Sequence, residues 1–256
     1  MRRLGYTYEV GKDCRANLNK GHDRLVTAED ADSFAVFDGA GDKQASEQAA
    51  RIFMRDCSRR CPPTLEETFK HIQHSLRRRH GAYVLRAVNQ QVKERPMGYT
   101  AHRVARDTLG KHAVVGVTTG TAFRLAAGPD GLTFMHNHVH AGDSSLYVYA
   151  DGQLAKITKN EGEPEPGNVD TNTSNFLGSK SHKLQQLGGL VLPEMATIAL
   201  VTDGVNSRRI GGISDDRLAT VLASDIPAQE KASSIIDASS FADDASAIVV
   251  GYQAAA

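Results

Sequence analysis

Three aspartates of this chain lie where an apolar segment meets a turn. Asp38 ends the segment FAVFD and precedes Gly39. Asp203 ends IALVTD and precedes Gly204, and Asp243 opens DDASAIVV. An Asp-Gly pair after a strand is a common turn, so none of these positions is informative alone. If folding brings the carboxylates together, two of them ~4 Å apart repel by about 4 kcal/mol at an effective dielectric of about 20, so they require protons or cations between them.

Such a group of carboxylates predicts a bound divalent cation. Hard oxygen ligands favour Mg²⁺, Mn²⁺ or Ca²⁺ over zinc. Because Gly39 carries no Cβ, its carbonyl could approach a metal beside Asp38. A fourth acid, Asp143 in AGDSSLYVY, lies in a tight turn before another apolar segment and is a further candidate ligand.

Short apolar segments of period two predict the strands that carry these acids. Residues 5–10 and 33–38 are expected strands. In the second of them, Phe34 and Val36 share a face with Asp38, because side chains alternate between the two faces of a strand. The carboxylate is therefore expected at the tip of a rigid element.

Two consecutive helices are expected after these strands. Residues 43–60 have apolar positions at helical spacing and end before Pro62. Thr64 and Glu67 predict a capping box at the start of a second helix, which is expected to run to about residue 93 with a break near Gly81.

The remainder of the chain predicts antiparallel sheet with two late helices. GPDG at 128–131 and ADG at 150–152 are typical of hairpin turns. Residues 160–182 are polar and acidic, which predicts a mobile surface loop. MATIALVTDGV predicts a buried strand, residues 214–239 two short helices, and DDASAIVV a closing strand.

This order of elements predicts an α+β fold rather than an alternating βαβ fold, because strands and helices are segregated along the chain. No segment has the composition of a linker between domains. Residues 1–256 are therefore expected to form one domain.

Composition narrows the class of protein. The 256 residues include 30 basic and 30 acidic side chains, so no global charge of one sign favours nucleic acid or anionic lipid as a partner. Three cysteines without zinc-like spacing predict free thiols in a reducing compartment. The first residues lack the apolar run of a signal peptide, and no segment is long and apolar enough to span a membrane. We therefore expect a cytoplasmic protein.

The ordered series of motifs resembles the metal-dependent protein phosphatases of the 2C type. The motifs are FAVFDGAGD, TTGTAFRL, VHAGDSSLYV, DGQLAKIT, SNFLGS, IALVTDGV and DDASAIVV. They extend from about residue 5 to residue 250, and their order and spacing are more specific than any one of them. The resemblance implies a four-layer α-β-β-α sandwich, in which two antiparallel sheets are flanked by helix pairs, with a short flap-like loop near residues 160–182.

The resemblance also implies a role for each acid. Asp38 corresponds to an aspartate that bridges two metals, and the Gly39 carbonyl binds one of them. Asp203 matches the aspartate of the Asp-Gly strand end, and Asp243 matches the first residue of a motif that usually continues with Asn. Asp143 matches a residue that helps to hold a third, weaker metal.

The implied activity is that of a Mn²⁺- or Mg²⁺-dependent serine/threonine protein phosphatase, with two ions per chain and a place for a third. Two metal ions lower the pKa of a water molecule and bind phosphoryl oxygens. The water then attacks phosphorus in line, without a phosphoenzyme. The expected partner is a phosphoprotein substrate, the expected state is a monomer, and neither nucleic acid nor membrane is expected to bind.

Several positions depart from the family pattern. Asp23 matches the last acid of the first motif, but His22 stands where another acid is usual. Arg15 is the candidate for a phosphate-binding arginine, although it lies farther from Asp23 than is usual, and a solvated loop arginine is an equal alternative. Ala40 follows Gly39 where many eukaryotic members have His, and Asp42 replaces a glycine.

These departures leave two alternatives to a protein phosphatase open. One is a catalytically weak or inactive 2C-like regulatory module that binds a partner. The other keeps the chemistry but acts on a small phosphomonoester. A cysteine-dependent phosphatase is excluded, because no cysteine has an arginine six positions later.

Two further patterns have ordinary interpretations. His136, His138 and His140 are expected on one strand face, where three imidazoles could bind Zn²⁺ or Cu²⁺, but a polar strand face is favoured. The basic run LRRRH at 76–80 could be a docking patch, but a solvated helix face is favoured.

Overall fold

The computed structural model describes most of the chain. The described residues are 2–3, 6–16, 22–40, 43–94, 104, 117–127, 133–159, 176–179, 184–187, 190–207, 211–239 and 243–254. The expected hairpin turn at 128–131 and most of the expected loop at 160–182 lie outside them, as does Asp42.

The described residues form fourteen strands. They are β1 (Arg2–Arg3), β2 (Tyr6–Arg15), β3 (Arg24–Ala28), β4 (Ser33–Phe37), β5 (Gly39–Ala40), β6 (Val117–Thr118), β7 (Gly120–Ala127), β8 (Thr133–Ala141), β9 (Ser145–Ala150), β10 (Gln153–Lys156), β11 (Gln185–Leu187), β12 (Leu190–Val191), β13 (Met195–Val201) and β14 (Ala245–Ala254). The helices are α1 (Lys43–Cys57), α2 (Leu65–Glu94), α3 (Asp203–Asn206), α4 (Asp215–Ala223) and α5 (Ala228–Ala238), with a 3₁₀ turn at Glu29–Ala31.

The strands form two large antiparallel sheets. The first has the order β1-β2-β14-β13-β9-β10, and the second has the order β11-β8-β7-β4-β3, with β12 also paired to β8. The short strands β5 and β6 pair with each other next to the end of β4. The expected α+β class is confirmed.

Three apolar layers hold four layers of secondary structure together. Phe37, Phe53 and Phe69 belong to the core between the second sheet and the α1–α2 pair. The core between the two sheets contains Phe34, and a third core lies between the first sheet and α3, α4 and α5. Strand β4 alternates as expected, since Phe34 and Phe37 face different layers, and it is buried on both faces.

The expected capping box forms at the start of α2. The Thr64 backbone N–H donates to Glu67 Oε2 at 2.9 Å, and the Glu67 backbone N–H donates to Thr64 Oγ1 at 3.1 Å. The expected break near Gly81 is wrong, because α2 continues to Glu94 and Gly81 faces open space. In the part of the chain that the structure describes, no helix is both long and apolar enough to cross a membrane.

Two later expectations are confirmed. Asp151 and Gly152 connect β9 to β10 with φ angles of 51° and 77°, as a tight hairpin turn requires. The segment 214–239 contains the two helices α4 and α5. Helix α1 ends at Cys57, three residues before the expected boundary at 60.

Part of the expected surface loop is buried. Leu177 is fully buried in the core under α1 and α2. Its backbone exchanges two hydrogen bonds with Thr118, at 3.1 and 2.8 Å. The expectation of a loop over the surface is therefore wrong for residues 176–179, because an apolar side chain anchors them beside β6.

The three histidines of β8 do not share one alternation. Val139 pairs with Ala122 and His136 pairs with Arg124, so β8 advances by one residue more than β7 and forms a β-bulge. The regular period-two alternation on which that expectation rests is therefore broken between His140 and His136, and the expectation of one unbroken alternation is wrong. His138 and His140 are both buried.

Candidate metal centre

Three aspartates from distant parts of the chain meet at one end of the two sheets. Asp38 follows β4 of the second sheet, Asp203 follows β13 of the first sheet, and Asp143 lies in the turn between β8 and β9. Each offers a carboxylate oxygen, and these oxygens all lie within 4.8 Å of one another. Strand ends of both sheets therefore converge on one acidic site.

Asp243 and Asp23 lie around this three-aspartate group. Asp243 precedes β14 and is not a member of the group, but its charge raises the pKa of both Asp143 and Asp203. Asp23 precedes β3, and its Oδ2 accepts a hydrogen bond from Thr202 Oγ1 at 2.8 Å. The residue next to Asp203 thus fixes a further acid beside the site.

Burial and mutual repulsion raise the pKa values of these acids. Burial is the main cause at each position, and it raises the pKa of Asp23 and of Asp143 to about 7. The pKa of Asp38 lies well above the ordinary value, because burial is reinforced by the charges of Asp23, Asp203 and Asp143. The pKa of Asp203 is raised as well, although a hydrogen bond with Asp38 counteracts the shift. Without a cation, the carboxyl groups of this site therefore keep their protons to a higher pH than exposed aspartates do.

A hard divalent cation fits this donor set. Several partly buried carboxylates at one place are costly unless protons or cations neutralise them. Within the described ranges, the group that could hold a metal contains aspartates and no histidine or cysteine. All-oxygen ligands favour Mg²⁺, Mn²⁺ or Ca²⁺.

The backbone of Asp38 is fixed by two threonines. Its carbonyl accepts hydrogen bonds from the Thr119 backbone N–H at 2.8 Å and from Thr118 Oγ1 at 2.6 Å. Gly39 pairs with Thr118 in the β5–β6 ladder. The predicted carbonyl ligand thus lies in a short strand pair directly beside the acidic group.

Gly204 is required by a close approach of two segments. A Cβ at this position would lie 1.8 Å from the Asp244 carbonyl oxygen. The start of α3 therefore contacts the segment that leads into β14. This contact brings Asp203 beside Asp243, so the glycine of this Asp-Gly pair has a packing function.

Asp244 holds the segment that carries Asp23. Its Oδ2 accepts a hydrogen bond from the His22 backbone N–H at 2.7 Å. The His22 carbonyl accepts one from Ser46 Oγ of α1. The backbone at His22 is thus fixed between the closing strand and the first helix.

Arg15 contacts the end of α5. Its guanidinium donates to the Ile236 carbonyl at 2.8 Å, and to the carbonyl and hydroxyl oxygens of Ser239 at 3.1 and 3.0 Å. Cations at helix C-termini are stabilising. Arg15 also pairs with Ala245 at the start of β14, so its backbone lies near the acids. Its guanidinium, however, binds the C-terminal end of α5. A phosphate-binding role for it stays a prediction.

Sequence reasoning missed the hydroxyl groups that fix the acids. The hydroxyl groups of Thr118 and Thr202 donate to Asp38 and to Asp23. The Thr119 backbone N–H also donates to Asp38, and the Thr119 hydroxyl bonds to that of Ser144. The motif TTGT contains two of the threonines, but its residue types do not show which carbonyl they bind. That information depends on how β6 pairs with β5.

No protein-family model matches this chain, and a search of curated proteins finds no match. Solved structures do resemble it along nearly its whole length. PppA, described as a key regulatory component of T6SS in Pseudomonas aeruginosa, is 16% identical with a TM-score of 0.66, and the match covers 98% of this chain and 100% of that chain.

Two phosphatase structures are also similar over nearly the whole chain. The catalytic domain of the serine threonine protein phosphatase PstP, in complex with 2 manganese ions, is 17% identical with a TM-score of 0.64, and 98% of this chain and 100% of that chain are covered. The PPM Ser-Thr phosphatase MsPP from Mycobacterium smegmatis, in complex with cacodylate, is 17% identical with a TM-score of 0.60, covering 95% and 97%.

These likenesses define the fold. The chain has the fold of the 2C-type, or PPM, serine/threonine phosphatases, as the order of its motifs implied. The identities of 16% and 17% show the architecture and not the activity.

Proposed function

We propose that this protein is a metal-dependent phosphatase that hydrolyses phosphoserine and phosphothreonine in proteins. The observation that carries the proposal is the group formed by Asp38, Asp143 and Asp203, whose carboxylate oxygens lie within 4.8 Å of one another at the ends of three strands. The fold supports it, because solved phosphatases share this architecture.

In this proposal, the residues of the site bind the metal ions and the surrounding structure holds them in place. Asp38, Asp143 and Asp203 would hold divalent cations, either Mn²⁺ or Mg²⁺, with Asp243, Asp23 and the Gly39 carbonyl as the remaining predicted ligands. Bound cations of this kind supply a nucleophilic water at neutral pH and neutralise phosphoryl oxygens. The protein contributes rigid positioning, because strand ends and hydrogen-bonded threonines fix the acids before substrate binds.

The direct test is hydrolysis of p-nitrophenyl phosphate by purified protein with Mn²⁺. We expect activity that is lost with chelator, restored by Mn²⁺, and lost in Asp38→Ala. Asp216→Ala is a matched control, because Asp216 is an exposed acid of α4 outside the site. Equal rates for wild type and Asp38→Ala would contradict the proposed chemistry.

A second candidate is a 2C-like regulatory module with little or no activity. Arg15 favours it, because its guanidinium is bound to Ile236 and Ser239 and would have to leave them to bind phosphate. One neighbour of the same fold is described as a regulatory component. Under this alternative, the wild-type protein binds Mn²⁺ and phosphopeptides. In the presence of Mn²⁺, however, it hydrolyses phosphoesters no faster than the Asp38→Ala variant does.

The substrate class is tested separately. We expect a phosphothreonine peptide to be hydrolysed with a higher kcat/KM than small phosphomonoesters such as p-nitrophenyl phosphate. A protein that prefers a small phosphoester would keep the metal chemistry and change the substrate class.

A further inference from the structure

A buried pair of hydroxyl groups connects two of the three aspartates. Thr119 Oγ1 and Ser144 Oγ lie 2.9 Å apart, and both residues are buried. Thr119 lies between β6 and β7, and Ser144 is the residue after Asp143. The pair therefore joins the turn that carries Asp143 to the strands that contact Asp38.

The Thr119 side of this link leads directly to Asp38. The Thr119 backbone N–H donates to the Asp38 carbonyl at 2.8 Å, and Thr118 Oγ1 donates to the same carbonyl at 2.6 Å. Asp38, Thr118 and Thr119 are thus one hydrogen-bonded unit. A shift of Thr119 would move the backbone next to the Asp38 carboxylate.

The Ser144 side of the link leaves the turn little freedom. The Ser144 carbonyl accepts a hydrogen bond from Thr121 Oγ1 at 3.1 Å, and Thr121 Oγ1 lies 2.8 Å from His140 Nδ1. Gly142 has a φ of 104°, and a Cβ there would lie 2.6 Å from the Thr119 Cβ. The backbone of the turn therefore lies against Thr119, and its position depends on that side chain.

We propose that Thr119 is a positioning residue, whose hydroxyl bond to Ser144 fixes Asp143 against Asp38 and so sets the affinity of the three-aspartate group for its divalent cation. This inference rests on the proposed function, because it requires that the aspartates bind a cation. It adds that the spacing between two of the acids is controlled by residues that do not touch the cation.

The experiment measures Mn²⁺ binding to the full chain by titration calorimetry. Thr119→Val keeps the shape of the side chain and removes the hydroxyl, and we expect about three- to tenfold weaker Mn²⁺ binding, as for the loss of one buried hydrogen bond. Thr119→Ser, which keeps a hydroxyl, should restore most of the affinity. Ser144→Ala removes the same bond from the other side and should weaken binding to a similar extent, which provides a second variant if Thr119→Val does not fold.

A double-mutant cycle separates positioning from general stabilisation. If Thr119 acts through Asp143, then Thr119→Val should have little further effect on Mn²⁺ affinity in an Asp143→Asn background. Thr68→Val is the matched control, because Thr68 is fully buried in α2 and its Oγ1 has no hydrogen-bond partner among the described residues. It should leave Mn²⁺ affinity unchanged.

Each outcome supports or overturns the inference. Additive effects of Thr119→Val and Asp143→Asn, or Mn²⁺ affinity equal to wild type in both Thr119→Val and Ser144→Ala, would overturn it and leave the phosphatase proposal intact. Failure of the wild-type protein to bind Mn²⁺ would overturn both proposals together.

Discussion

At the scale of single residues, Asp38 is subject to opposite requirements for folding and for metal binding. Burial and the neighbouring charges raise its pKa well above the ordinary value. For such a group, stability is lost as the pH rises through the folded-state pKa, because the ionised carboxylate destabilises the metal-free protein. A bound cation would remove this cost.

We therefore expect Asp38→Asn to stabilise the metal-free protein while it abolishes metal binding. The change keeps the shape and removes the charge. In chelator at about pH 8, the melting temperature should rise by about 2–4 °C, whereas the increase that Mn²⁺ produces in wild type should disappear. Differential scanning fluorimetry with and without Mn²⁺ measures both effects, and a lower melting temperature for the variant in chelator would contradict the electrostatic argument.

Protons and cations are expected to compete for the same carboxylates. Burial raises the pKa of Asp23 and of Asp143 to about 7. Below that pH each carries a proton that a cation must displace, and above it the proton is already gone. Mn²⁺ affinity should therefore fall by about tenfold per pH unit for each displaced proton as the pH drops below about 7. Calorimetric titrations at about pH 6 and about pH 8 measure how Mn²⁺ affinity depends on pH. This dependence should be weaker in Asp143→Asn. If Mn²⁺ affinity in wild type does not change with pH, no such proton is displaced.

At the scale of one element, β8 contains a second pH-dependent feature of opposite sign. Burial lowers the pKa of His138 and of His140 to about 4, from the ordinary value of 6.5. Between these values the unfolded chain binds protons that the folded protein does not, so stability falls as the pH falls through this window. The acids of the candidate metal centre have raised pKa values and change stability in the opposite direction, so the effect of the histidines must be measured by comparing variants.

We expect His138→Leu to reduce the acid sensitivity of the fold. The loss of melting temperature between about pH 7 and about pH 5 should be smaller in the variant than in wild type, because one group that binds a proton only on unfolding is gone. The aspartates are present in both proteins, so their effect cancels. His74→Leu is the control, since His74 is exposed on α2, and it should leave the pH dependence unchanged. Equal pH slopes for His138→Leu and wild type would exclude a buried neutral imidazole.

Elements with local signals could be predicted from the sequence, and elements set by distant partners could not. The capping box of Thr64 and Glu67 forms as expected, because both residues lie within one turn of helix. The bulge in β8 depends on the register with β7, and a single strand does not contain that information. Leu177 lies in a polar, acidic segment, yet its side chain is buried. Its backbone forms two hydrogen bonds with Thr118 of β6, a partner that is distant in the sequence.

At the scale of the whole molecule, the candidate metal centre is a product of long-range contacts. The sequence predicts acids at strand ends, and the motif order implies that they converge. It does not predict their spacing, which places Asp143 inside the three-aspartate group and Asp243 outside it. Nor does it predict that Arg15 binds the end of α5, more than two hundred residues away. Such distances depend on how the two sheets pack.

The closure of the fold by its last strand can be tested with two glycines. Gly204 lies where α3 meets the segment before β14, and a Cβ there would lie 1.8 Å from the Asp244 carbonyl oxygen. Gly204→Ala must therefore push Asp203 away from β14, so we expect at least about tenfold weaker Mn²⁺ binding and a lower free energy of unfolding in urea. Gly81→Ala makes the same chemical change in the middle of α2, where a Cβ has nothing within 4 Å, and it should leave Mn²⁺ binding unchanged and raise stability by about 0.5–1 kcal/mol. If Gly204→Ala binds Mn²⁺ as tightly as wild type, the contact between α3 and β14 does not set the position of Asp203.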